Sequence, residues 1–186
     1  MKHSFKKATL IAVLLTASTL TTQAAEETEG TSWVEEGFAF NPELSSIGLA
    51  QQWALCSATL KVFSGELKKV ADQSATAKLI EQTANGASVA IIGTYVLGFA
   101  KNMDDLDKDT FTQRFKEAVE YGQFASVEFV DKAMVFVAAQ EESAANDQAW
   151  MENLTASAMD CMQPPVLEMQ EMLINTVRET VMGVPK

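Results

Sequence analysis

The sequence predicts an all-α, single-domain bundle of about five helices, with the second helix central and buried and the first and fourth linked by a Cys56–Cys161 disulfide. Three observations predict it. Apolar residues recur at intervals of three and four along most of the chain after residue 41, and no segment alternates with period two. The stretch 87–100 is apolar almost all round, as a helix surrounded by other helices must be. The chain's only two cysteines each fall on an apolar helical face.

Residues 1–24 read as an export signal. Lys2, His3, Lys6 and Lys7 form a positive head, residues 8–15 begin an apolar core, and Thr22-Gln23-Ala24 offers small residues for cleavage. The core is too short, and too rich in threonine at its end, to remain as a membrane span. Cleavage near Ala24 would leave a periplasmic or secreted chain. His3 is the only histidine and leaves with the signal.

Residues 25–41 read as an acidic irregular arm with Trp33, Phe38 and Phe40 interleaved. These aromatics are expected to strap the arm onto the domain, and they are also candidate partner contacts. The helical domain covers 42–186. Its first helix is expected to open at Asn41, an N-cap, with Pro42 in the first helical position. Leu49, Trp53, Cys56, Leu60, Phe63, Leu67 and Val70 then make one apolar stripe with Cys56 facing inward.

The second helix is expected from about Ser74 to Asn102. Gly86, Ala90 and Gly93 form a small-residue edge that lets another helix approach closely, and Tyr95 is expected in the core with its hydroxyl at a polar edge. The fourteen-residue apolar run 87–100 is short for a membrane span and is followed by Lys101, Asp104 and Asp105. An acidic break over 103–109 precedes the third helix, which Thr110 and Gln113 open as a capping box. Phe111, Phe115, Ala118, Gly122, Ala125 and Phe129 form its face, widened by Val130, Ala133, Met134 and Val137, and the pattern reaches about Ala139. Gly122 leaves open whether this helix is kinked or split.

Glu141 to Asn146 read as a polar connection. Asp147 would cap a fourth helix with Trp150, Leu154, Ala158 and Cys161 on its inner face. Gln163-Pro164-Pro165 ends it, because proline lacks a donor and restricts the residue before it. Pro165 starts the last helix, whose stripe is Val166, Met169, Leu173, Val177 and Val181, with Gly183 and Pro185 closing it. Trp53 and Trp150 lie near the two cysteines as core anchors.

Composition excludes several functions. Removing Lys2, Lys6 and Lys7 from the fourteen Lys and Arg leaves eleven against twenty-five Asp and Glu, a balance of −14 for the mature chain. Such a surface repels nucleic acid and attracts basic proteins or cations. A mature chain without histidine has no Ser-His-Asp or Cys-His site, no histidine zinc site and no Glu-x-x-His di-iron motif. There is no glycine-rich phosphate loop. Carboxylate-pair hydrolysis needs only Asp and Glu, but no pair stands out among the acids. Cys56 and Cys161 lack Cys-x-x-Cys spacing and are expected as a structural bridge; closing so long a loop is worth roughly 4–5 kcal/mol by chain entropy, with less in practice.

Two further patterns carry chemistry. Asp105-x-Asp107-x-Asp109 begins like a calcium loop, but Thr110 replaces the turn glycine and Lys116 the closing glutamate. Met159-Asp160-Cys161-Met162 and Met169-Gln170-Glu171-Met172 are two Met-x-x-Met units, whose side chains suit core packing or a Met-rich contact surface and whose soft sulfurs at i, i+3 also suit Cu(I). Asn153-Leu154-Thr155 spells a glycosylation acceptor with meaning only in a eukaryotic secretory route. The reading that fits all of this is an exported, non-enzymatic helical protein that binds another protein as a chaperone, an inhibitor or immunity protein, or an assembly factor, with no cofactor. The alternatives are a periplasmic Cu(I)-binding protein using Met159, Met162, Met169 and Met172, or a carrier of a small apolar ligand between helices.

Overall fold

The computed structural model describes residues 40–100 and 107–182. Among these residues there are five helices and no strand: α1 (Ser46–Lys68), α2 (Ser74–Ala100), α3 (Lys108–Ser143), α4 (Asp147–Cys161) and α5 (Pro164–Met182). The signal segment, Trp33, Phe38, residues 101–106, Gly183 and Pro185 lie outside the described residues, as does the side chain of Val181.

Helix α1 begins later than Asn41 and Pro42 imply. Ser45 is its N-cap, with Oγ accepting from the Gly48 N–H at 3.2 Å. Asn41 is committed elsewhere. Its Oδ1 accepts from the Glu43 N–H at 3.0 Å, holding a turn, and its own N–H donates to Gln52 Oε1 at 2.8 Å. Just before it, the Phe40 N–H donates to Asp160 Oδ2 at 2.6 Å, which ties the entering chain to α4. Trp53, Cys56 and Leu60 are fully buried, as the stripe predicts, while Val70 is exposed because α1 stops at Lys68.

Ala50, Ala54, Ser57, Ala58, Thr59 and Ser64 are buried as well, so α1 is covered on more sides than its large residues indicate. It packs against α2, α3 and α4. Small residues permit this without announcing it as a hydrophobic stripe. Ser57 and Ser88 share a hydroxyl hydrogen bond at 2.8 Å, Ser126 Oγ donates to the Ser88 carbonyl at 2.9 Å, and Ser64 Oγ donates to the Ala77 carbonyl at 2.8 Å. These bonds join α1, α2 and α3 where larger side chains would force them apart.

The turn into α2 places Asp72 at φ 65°, a left-handed conformation that a short polar side chain tolerates. Helix α2 is central, packing against α1, α3 and α5. By length and composition it could cross a membrane, a wider property than the 87–100 run alone indicates. Its small-residue edge works as expected. A Cβ built on Gly93 would lie 2.6 Å from the Leu173 carbonyl oxygen, so α5 rests against bare α2 backbone, and Gly86 faces the Gln170 side chain.

Helix α3 is not split at Gly122. It runs unbroken for 36 residues, and Gly122 is a contact point, where an added Cβ would lie 3.1 Å from Ile92 Cα. Its cap is Asp107 in place of Thr110. Asp107 Oδ1 accepts from the Asp109 and Thr110 N–H groups at 3.1 and 3.0 Å, and Oδ2 accepts from Thr110 Oγ1 at 2.7 Å. Aspartate with two free oxygens outcompetes the hydroxyl three residues on, which becomes its donor. At the far end, Glu141, Glu142 and Ser143 belong to the helix instead of to a connection, because glutamate is a good helix former despite its polarity.

Helix α4 is capped by Asn146, one residue before the expected Asp147, with Oδ1 accepting from the Ala149 N–H at 2.9 Å. Trp150, Leu154, Ala158 and Cys161 are all buried. Helix α5 starts at Pro164, one residue before the expected Pro165, since first-turn N–H groups have no helical partner to lose. Val166, Leu173 and Val177 are buried and Met169 packs on the core from its edge. Cys56 and Cys161 are bonded across α1 and α4, with their Cα atoms 5.5 Å apart and a sequence separation of 105.

Candidate functional site

The disulfide is structural. Both sulfurs are bonded and buried, so neither is a thiolate for chemistry or metal binding. It requires an oxidising environment to persist. Trp53 lies fully buried three residues from Cys56, and Phe40 covers it at a ring-centroid distance of 4.6 Å with a tilt of 52°. Of the three arm aromatics, Phe40 is thus a strap on the domain, held by its N–H on Asp160; Trp33 and Phe38 lie outside the described residues.

The two Met-x-x-Met units are each divided between core and solvent. Met162 and Met169 pack against the core, whereas Met159 and Met172 are 52% and 50% exposed. Among the described residues there is no group of three His, Cys, Asp or Glu side chains placed to hold a metal ion. Asp105 lies outside the described residues, and both carboxylate oxygens of Asp107 are taken by the start of α3. Those bonds, first the backbone N–H of Thr110 and then its hydroxyl, hold the Asp107 carboxyl below the usual aspartate range. Asn153 of the glycosylation sequence is half-buried, and the neighbouring Leu154 is fully buried.

The feature that sequence reasoning missed is the outer side of α3. Its inner side buries Val119, Gly122, Ala125, Val130 and Val137 against the bundle. Opposite these, Tyr121, Phe124, Val127 and Val135 are 60%, 66%, 65% and 72% exposed. Steps of three, three and eight residues return these side chains to one side of a helix. The signal was legible: Phe124, Val127 and Val135 fall half a turn away from the stripe that predicts the core. Helix α3 is thus apolar on two sides, and the inner one is the side buried in the bundle.

Carboxylates share this outer side. Glu117 and Glu120 precede Phe124 by seven and four residues, and Asp131 follows it by seven. Glu120 lies 3.7 Å from Lys116 Nζ and Glu128 2.6 Å from Lys132 Nζ, exposed pairs that add little stability. Glu117 accepts from Gln113 Nε2 at 2.8 Å, and Asp131 has no ion pair among the described residues. At the border of the patch, Tyr121 meets Tyr95 of α2 edge-on, ring centroids 5.1 Å apart. Burial, and then the charges of Tyr121 and Glu128, raise the Tyr95 hydroxyl above its ordinary pKa. Tyr95 is thus half-buried at the α2–α3 seam.

The comparisons with known proteins return no match: no family model, no curated protein and no solved structure is similar to this chain.

Proposed function

We propose that the protein is exported by its first 24 residues to the periplasm or beyond, and acts there without catalysis by binding another protein through the outer side of α3. The observation that supports this is the row Tyr121, Phe124, Val127 and Val135, four large apolar side chains left in water on the longest helix. Leaving such surface hydrated forgoes stabilisation of about 25 cal/mol per Å2 that a partner would recover. The signal-like segment and the disulfide agree with an oxidising destination. A chaperone, an inhibitor and an assembly factor would each use such a surface.

Affinity capture from the exported fraction tests this reading. The wild-type protein should retain a partner that Phe124→Ser/Val127→Ser releases, with the fold unchanged by circular dichroism. Equal recovery by both proteins would count against it.

A second reading rests on the half-exposed Met159 and Met172, which flank the double-proline turn and give soft ligands to solvent. Titration of the oxidised protein with Cu(I) against a competing chelator decides it. Metal held no tighter than by the chelator ends the copper reading.

A further inference from the structure

We infer that the outer side of α3 from Glu117 to Val135 receives a basic amphipathic helix of the partner protein, one with apolar residues at three- and four-residue intervals flanked by Lys or Arg. This deepens the protein-binding reading and depends on it.

The shape comes first. Glu117 to Val135 lies within one unbroken helix and rises about 27 Å at 1.5 Å per residue, the length of a partner helix of about eighteen residues. Phe124 and Val127 form the centre, with Tyr121 and Val135 on either side. Anchors at such spacing are read by a second helix laid along the first.

Charge then selects the occupant. Glu117, Glu120 and Asp131 stand on the same side as Phe124, at the two ends of its apolar centre. Lys116 and Lys132 already face Glu120 and Glu128, which leaves Glu117 and Asp131 without a cation of their own. A second copy of this chain would bring its carboxylates into the same seam, where like charges are costly. The sequence of segment 25–41 does not offer the complementary charge either, because it carries Glu26, Glu27, Glu29, Glu35 and Glu36 and no Lys or Arg. An anionic bilayer is repelled too. A cationic helix instead answers Glu117 and Asp131 at its ends while burying Phe124 and Val127 at its middle.

The test uses the oxidised protein and a fluorescent Leu–Lys peptide of about eighteen residues, its leucines at three- and four-residue spacing, read by anisotropy. Saturable one-to-one binding that weakens with added salt is expected. Phe124→Ser/Val127→Ser should weaken it at least about tenfold. Glu117→Gln/Asp131→Gln should also weaken it and flatten the salt dependence. Leu167→Ser should leave it unchanged; this residue is exposed on α5, a helix that packs chiefly on α2.

Failure of the Leu–Lys peptide to bind overturns the inference, and the capture experiment then judges the wider reading on its own. A preference for the matching Leu–Glu peptide, or dimerisation of the protein that Phe124→Ser abolishes, overturns the basic partner and leaves the surface standing. Peptide binding that ignores Phe124→Ser/Val127→Ser overturns both.

Discussion

Gly93 and Leu173 bring two helix backbones into contact, such that a methyl group on Gly93 would stand 2.6 Å from the Leu173 carbonyl oxygen and 2.9 Å from its Cβ. Neither neighbour is the free end of a flexible side chain, so relief requires α5 to move. Gly93→Ala should therefore destabilise by about 1–3 kcal/mol, the usual range for overpacking, even though alanine is the better helix former. Gly65 supplies the contrast, since nothing beyond its chain neighbours and its own helix backbone lies within 4 Å of a Cβ built there. Gly65→Ala should stabilise by about 0.5–1 kcal/mol. Urea unfolding of both variants checks the pair of signs; a shared sign would mean the α2–α5 contact is looser than described.

Cys56→Ser and Cys161→Ser should each destabilise by roughly 2–5 kcal/mol, and to a similar degree, because either removes the same 105-residue closure. Reduced wild-type protein should unfold at the same denaturant concentration as the variants. Unequal losses would show that one sulfur has a role beyond the bridge.

Tyr95, one of the chain's two tyrosines, should ionise late. Tyr95 has its folded pKa raised, first by burial and then by the charges of Tyr121 and Glu128. A raised value means the folded state favours the neutral hydroxyl, so this contribution to stability is full below the ordinary value of 10.0 and is lost as pH rises through the folded one. Phenolate absorbance should show one group ionising above the ordinary range, and Tyr95→Phe should remove that late step. Tyr121→Phe should lower it only in part, since burial is the larger cause.

At the acid end, Asp107 works in the opposite sense. Its pKa is lowered by the bonds it accepts from Thr110, so its contribution is present above the ordinary aspartate value and is lost as pH falls through the folded one. Asp107→Ala should fray the first turn of α3 and remove that part of the acid transition, while Asp107→Asn keeps the cap and loses the pH dependence. Amide hydrogen exchange at Asp109 and Thr110 follows both effects.

The large side chains made the fold legible. Trp53, Leu60, Leu154 and Leu173 repeat at helical spacing and are buried, and the pairing of Cys56 with Cys161 followed from their number and faces. The helix starts were off by one to four residues wherever two capping residues compete, as with Asn41 and Ser45 or Asp107 and Thr110. Which one caps depends on what else the side chain reaches, and at Asn41 the reach includes Gln52. Burial of α1 on several sides was hidden in alanines and serines, whose small size matters only against a neighbour. The outer side of α3 was visible in the spacing of Phe124, Val127 and Val135, but a stripe reading that seeks one core face absorbs a second one.

The bond between Cys56 and Cys161 makes a covalent ring that contains the whole of α2, α3 and α4. Of the five helices, only α5 lies entirely outside that ring, a tail that follows the turn before Pro164 and is held to α2 by its seat on the glycines and by Gln170 Nε2 donating to the Thr83 carbonyl at 3.2 Å. Partial opening of the oxidised protein should thus begin with this tail lifting away, uncovering α2 while the closed body keeps its shape.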